Sequence, residues 1–229
     1  MEVGPAGRMG DRLRSMNSVG DAFTYPFRDP GWVGKIVVQG LILIIPIVGW
    51  IAAVGWLMLT YENLRAGRQE LAPAGFHLER GIGLFGVIFI YVIVINIPAW
   101  VLDGIGGAAS NQNSLAGAPF TALGSLWSFL AQLLLYFLTP SLIVLTARNG
   151  FSGGLDIQRV WAMATGQMNN SIIGGLIIFV GGIIGALGII ACCIGVFFTI
   201  TYSIAIQAGV AAWFDRMQAS PSAPGTAAA

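Results

Sequence analysis

Charge is what this chain has least of: 9% of its 229 residues are charged, against roughly a quarter in ordinary soluble domains. Cysteine and histidine are scarcer still, at two and one. Cys192 and Cys193 are adjacent in apolar sequence, where a disulfide between neighbours is strained and metal-ligand spacing is missing. They read as small residues at a packed turn. His77 has Glu79 and Arg80 nearby, but no second histidine, cysteine partner or carboxylate pair stands at a useful spacing. No catalytic residue, metal ligand or cofactor is therefore expected, and the chain is expected not to be an enzyme. A net charge of +1 without a polybasic block argues against nucleic acid as a partner. Met1 to Trp32 is polar and holds no apolar stretch suited to a cleavable signal, so the first membrane segment is expected to target the protein. Glu2 rules out myristoylation, and no cysteine near either end offers a lipid anchor.

What the chain has instead is apolar length: 56% of its residues are hydrophobic. A helix rises about 1.5 Å per residue and the hydrocarbon layer is about 30 Å thick, so a span takes roughly 20 apolar residues. Gly81 to Leu102 and Ala122 to Ala147 each supply one span. Ser171 to Phe214 would reach about 66 Å as a single helix, and so must fold back. The break is expected at Ala191 to Gly195, where glycine tolerates a tight turn.

The run between Lys35 and Glu62 is ambiguous by length alone, and the basic residues decide it. Arg and Lys stay on the side from which a segment is inserted. One tilted crossing would divide the eleven cations five and six across the bilayer, with no sidedness. A hairpin of about Trp32 to Ile47 and Trp50 to Ala66, broken near Pro46 and Gly49, gathers all of them on one face. Its arms reach only about 25 Å, short of a full crossing. The fold class expected is all-α: a polytopic helical membrane protein with an N-terminal membrane hairpin plus four transmembrane helices.

Three regions follow: residues 1–31, a cytosolic and interfacial segment; 32–216, the helical membrane domain; and 217–229, a disordered tail rich in Ala, Ser, Pro and Gly. Trp32 and Trp213 are expected at the inner interface, Trp100 and Trp127 at the outer. Asp103 to Thr121 is expected to be a flexible outer loop, and Leu155 to Thr165 a short helix lying on the membrane surface.

Ionisable groups are missing from the middle of every span, which speaks against an ion-coupled pump. Gln39, Asn96, Gln132 and Gln207 are the candidate cavity or helix-contact polar residues. Asn96 is also placed to serve backbone groups released by Pro98. Gly174, Gly181, Gly185 and Gly188 are the candidate helix-packing residues, because a glycine stripe lets two backbones approach closely. Lys35 and Asp103 read as interfacial anchors.

Tyr25-Pro26-Phe27-Arg28-Asp29-Pro30-Gly31-Trp32 followed by Lys35, Phe151-Ser152-Gly153-Gly154-Leu155-Asp156, and the late Cys193-Ile194-Gly195 resemble the domain of unknown function 4013 family of prokaryotic integral membrane proteins. The resemblance covers roughly residues 20–214. It implies a prokaryotic plasma membrane and supplies no catalytic residues. Physically, the opening motif suits an anchor: its prolines stiffen the approach, Phe27 and Trp32 sit among headgroups, and Arg28 with Asp29 stays wet. The expected role is a non-enzymatic membrane scaffold or assembly partner, multi-pass with both termini cytoplasmic. Its partners would be the lipid bilayer and a membrane protein or a second copy. A permease or channel-like carrier of a neutral or lipidic molecule is the alternative.

Overall fold

The computed structural model describes residues 18–111, 114–188 and 192–219. Its helices are α1 (Asp21–Thr24), α2 (Trp32–Leu43), α3 (Val48–Arg65), α4 (Leu78–Ser110), α5 (Ser114–Leu155), α6 (Ile157–Gly166), α7 (Met168–Leu187) and α8 (Cys192–Ala219). A 3-10 turn, Tyr25–Arg28, joins α1 to the α2 approach. Four helices are long and apolar enough to cross a bilayer: Leu78–Ser110, Leu115–Leu155, Met168–Leu187 and Gly195–Ala219. With the α2–α3 hairpin they make a polytopic helical membrane protein, and no strand occurs among the described residues.

The hairpin breaks where proline removes a donor. Val48 N–H bonds the Pro46 carbonyl at 2.6 Å across Ile47, whose φ of 63° and ψ of −61° are those of a γ-turn. A β-branched residue is strained there. Gly49 is needed for a different reason: a methyl group on it would collide with the Ile42 carbonyl and the Leu43 backbone. The chain does fold back, since Lys35 early in α2 and Thr60 late in α3 both bond the segment Leu71–Ala72.

Helix α7 ends at Leu187, Gly188 is in a turn, and Cys192 to Gly195, expected within the break, already belong to α8. Residues 189–191 and the side chains of Cys192 and Cys193 lie outside the described residues. Helix α8 is central and touches α1, α2, α3, α5 and α7. Ala205, Ala208, Ala211 and Ala212 are fully buried along it. Trp213, expected at an interface, is instead 6% exposed within this core, because neighbours surround α8.

The stretch Asp103 to Thr121 is also not the expected loop. Helix α4 continues to Ser110 and α5 starts at Ser114, with residues 112–113 outside the described residues. The glycines explain the extension: a side chain on Gly106 would meet Thr121 and the Gly117 carbonyl, and one on Gly124 would strike Asp103. Alanine between them favours helix. Towards the end of α5, Gly150 takes φ 71° and ψ −163°, a conformation open to glycine, and kinks the helix before its last stretch, residues 151–155. Asp156 caps α6 by accepting from the Arg159 N–H. Helix α8 runs to Ala219, and the expected tail beyond it lies outside the described residues.

Candidate functional site

The starts of α2, α4 and α7 and the ends of α3, α5 and α8 meet at one end of the bundle, as the up-and-down order of the helices requires. Every described Lys and Arg belongs to that end. Two polar assemblies there are built from residues far apart in sequence.

The first centres on Asp215, which is 5% exposed near the end of α8. It accepts the Tyr61 hydroxyl at 2.8 Å, Arg65 Nε at 3.2 Å and Arg148 Nη2. Arg216 reaches the other way and gives Nη2 to the Leu64 carbonyl at 2.7 Å. That carbonyl lies in the last turn of α3, which closes in a Schellman motif: Gly67 takes φ 82°, and Arg68 N–H bonds the Asn63 carbonyl at 2.9 Å. Arg216 Nη1 is buried and bonds nothing. Beside the cluster, Arg80 pairs with Glu62 at 2.7 Å.

The second assembly pins the segment between α3 and α4 into the core as a strap. Leu71 and Ala72 are buried without being helical, so their peptide groups need partners. Asp29 accepts the Leu71 N–H at 2.9 Å, Lys35 donates to the Leu71 carbonyl at 2.7 Å, and Trp56 Nε1 donates to the Ala72 carbonyl at 2.9 Å. Thr60 accepts the Ala72 N–H and Gln39 the Gly75 N–H. Asp29 and Lys35 also pair at 2.7 Å. Burial by itself would push the Asp29 carboxyl up. The hydrogen bond from Lys35 and those from the Gly31 and Leu71 amides outweigh it and hold the group below its usual value. Asp29 is 2% exposed, so the expectation that it stays wet is corrected, and Lys35 is its partner rather than a free anchor. The strap covers both.

The four candidate amides do not assemble. Gln39 is fully buried against the strap, with Nε2 unpartnered. Asn96 donates to Val92 of its own helix at 2.8 Å, not to the carbonyl that Pro98 frees; Trp127 Nε1 instead bonds the Ile95 carbonyl beside that proline. Gln132 is exposed on α5 and Gln207 half-buried on α8. Among the described residues no hydrogen bond joins any two of them. The four glycines face α8: Gly174 meets Val210 and Pro140, Gly181 meets Ser203 and Ile206, Gly185 meets Ile200, and Gly188 meets Thr199 and Val196. Gly175, which lies outside the expected set, brings α7 against the Tyr136 carbonyl that Pro140 leaves without its helical donor. His77 bonds the Pro73 carbonyl at 2.8 Å, and no group of three or more metal-ligating side chains occurs among the described residues.

Sequence reasoning missed Asp215, Tyr61 and Arg148 as a unit, because each sits at the border of a separate apolar run. The one available signal was that Asp215 and Arg216 form an adjacent pair of opposite charges closing the longest such run.

No curated protein and no solved structure matches the chain. The family model described as "Protein of unknown function (DUF4013)" matches residues 38–212, which include both turns and both glycine-packed helix pairs but begin after the Asp29–Lys35 motif, and the chain belongs to that family.

Proposed function

We propose that the protein is a non-enzymatic scaffold or assembly partner in a prokaryotic plasma membrane, with both termini cytoplasmic. One observation carries this reading: Asp29, Asp215, Asn96 and the Gln39 side-chain carbonyl, groups that a catalyst or carrier would turn toward a substrate, are bonded to the protein's own chain. Asp29 and Asp215 hold their neighbours, Asn96 bonds its own helix, and Gln39 supports the strap. The α4–α5 hairpin supplies a surface for assembly. Its far end exposes Trp100, Ile105, Leu115 and Leu123.

Photo-crosslinkers placed at Leu115 and Leu123 in cells test the proposal. A discrete protein adduct from both sites, lost when Trp100 is replaced by Asp, is the expected result. Adducts to lipid alone, together with glycerol uptake by proteoliposomes of the purified protein, would favour the carrier and overturn the scaffold. Reporter fusions test the orientation: Gly67 is expected to give a cytoplasmic signal and Ser110 an external one, and the reverse pattern rejects it.

A further inference from the structure

Two guanidinium groups share one buried carboxylate at the charged end of the bundle, and a third stands beside it on the same helix. Arg65 and Arg148 both bind Asp215, Arg216 follows it in sequence, and the neighbouring Glu62 is taken by Arg80. Three positive charges thus face one negative charge. Each guanidinium carries five N–H donors. Arg65 contacts Asp215 through Nε, Arg148 through Nη2, and Arg216 uses Nη2 on Leu64. Donors remain on all three, and Arg216 Nη1 is both buried and unpaired. A buried unpaired donor is costly, and excess like charge at one spot repels itself. Both are relieved by an anion that enters between the arginines.

The route in is open, since the Arg65 and Arg148 side chains are 51% and 32% exposed. The fork of a guanidinium fits phosphate oxygens in bidentate fashion. These arginines stand at the ends of membrane helices, the depth at which lipid phosphates lie. We propose that Arg65, Arg148 and Arg216 form a binding site for a phosphate-bearing anion, occupied in the membrane by the headgroup of an anionic phospholipid of the adjoining leaflet. The site does not depend on the scaffold reading or on which side of the membrane this end faces.

Native mass spectrometry of the full-length protein, exchanged against vesicles of phosphatidylglycerol or of phosphatidylcholine, provides the test. Retention of phosphatidylglycerol over phosphatidylcholine is expected, falling about tenfold in Arg65→Gln and in Arg216→Gln, the loss of a charge-assisted bond. Arg65→Gln leaves Asp215 with Tyr61 and Arg148, so folding is expected to persist, as a thermal melt of each variant checks. Arg159→Gln removes an equal charge from an exposed pair with Asp156 and should leave retention unchanged. A separate arm with millimolar inorganic phosphate distinguishes the sources: stabilisation by phosphate without lipid preference, lost in the same variants, assigns the site to a free anion. Equal retention of both lipids without a phosphate effect, or equal loss in Arg159→Gln, overturns the site.

Discussion

Asp215→Asn removes one charge and almost no volume, so it isolates what the Asp215 carboxylate does for the bundle. Deleting one partner of a buried ion pair costs about 3–5 kcal/mol, because the other charge is left uncompensated. Exposure sets the position within that range. Asp215 is 5% exposed, but the Arg65 side chain is 51% exposed, and an exposed pair contributes only about 0–1 kcal/mol. Arg148, at 32%, is partly rehydrated once it is free. The low end, about 3 kcal/mol, is the expected loss.

Tyr61→Phe removes the hydroxyl that Asp215 accepts at 2.8 Å, and should cost about 1.5 kcal/mol as a bond to a charged acceptor. In the Asp215→Asn background the same change should cost about 0.5–1 kcal/mol, since the bond is then neutral. Likewise, adding Arg148→Gln to Asp215→Asn should cost little, because both charges are then gone. Reversible unfolding in mixed micelles with rising dodecyl sulfate measures all of these. A loss below about 1 kcal/mol for Asp215→Asn, or strictly additive losses for Asp215→Asn and Arg148→Gln, would refute the idea that the carboxylate acts as a shared hub.

The strap gives a pH prediction. The Asp29 carboxyl is held below 3.8 in the fold, so its contribution is present above the unfolded value and is lost as pH falls through the lower folded one; Asp29→Asn should cost about 2 kcal/mol at neutral pH and remove that decline from an acid titration of stability. Gly81→Ala would drive a methyl group into the Ile51 carbonyl and Gly55, whereas Gly83→Ala meets nothing within 4 Å. The first should cost about 3 kcal/mol and the second should be neutral or gain up to about 1 kcal/mol in the same micelle assay; equal effects would reject the close α3–α4 approach. Ile47→Gly should stabilise the protein by about 1 kcal/mol, by releasing a β-branched residue from φ 63°, and a loss of stability would place the strain elsewhere.

The hairpin was legible because two independent constraints agreed: Pro46 cannot donate, and only a fold-back collects the basic residues at one end. The actual hinge was less legible, since nothing in Pro46-Ile47-Val48-Gly49 says that Ile47 takes the turn angles while Gly49 yields space. Asp29 looked wet because its neighbours Arg28 and Pro30 look like surface. What buries it is Leu71, forty-two positions later, and local pattern carries no information at that range. Asp215 posed the same problem, since its hydroxyl partner is 154 positions away. The extended α4–α5 hairpin was misjudged from composition: glycine, alanine and serine suggest a loop, but the same small residues at Gly106, Gly117 and Gly124 let two helices approach closely enough to pair.

The two ends of the bundle are therefore held by different forces, and this bears on how the chain assembles. The strap closes through Trp56, Thr60 and Ala72, residues close in sequence, so its pins can form as soon as the α2–α3 hairpin exists. Tyr61 and Leu64, on the same helix, take their long-range partners from Asp215 and Arg216 of the last span. The glycines of α7 lie against α8, with Gly188 to Gly174 pairing with Val196 to Val210 in antiparallel order. Van der Waals packing of α7 on α8 thus fixes the depth of α8, and the depth of α8 delivers the carboxylate to Tyr61. The ion cluster forms only in the register that this packing allows, because an unpaired buried carboxylate is costly in any other, whereas an apolar contact tolerates a shift more readily.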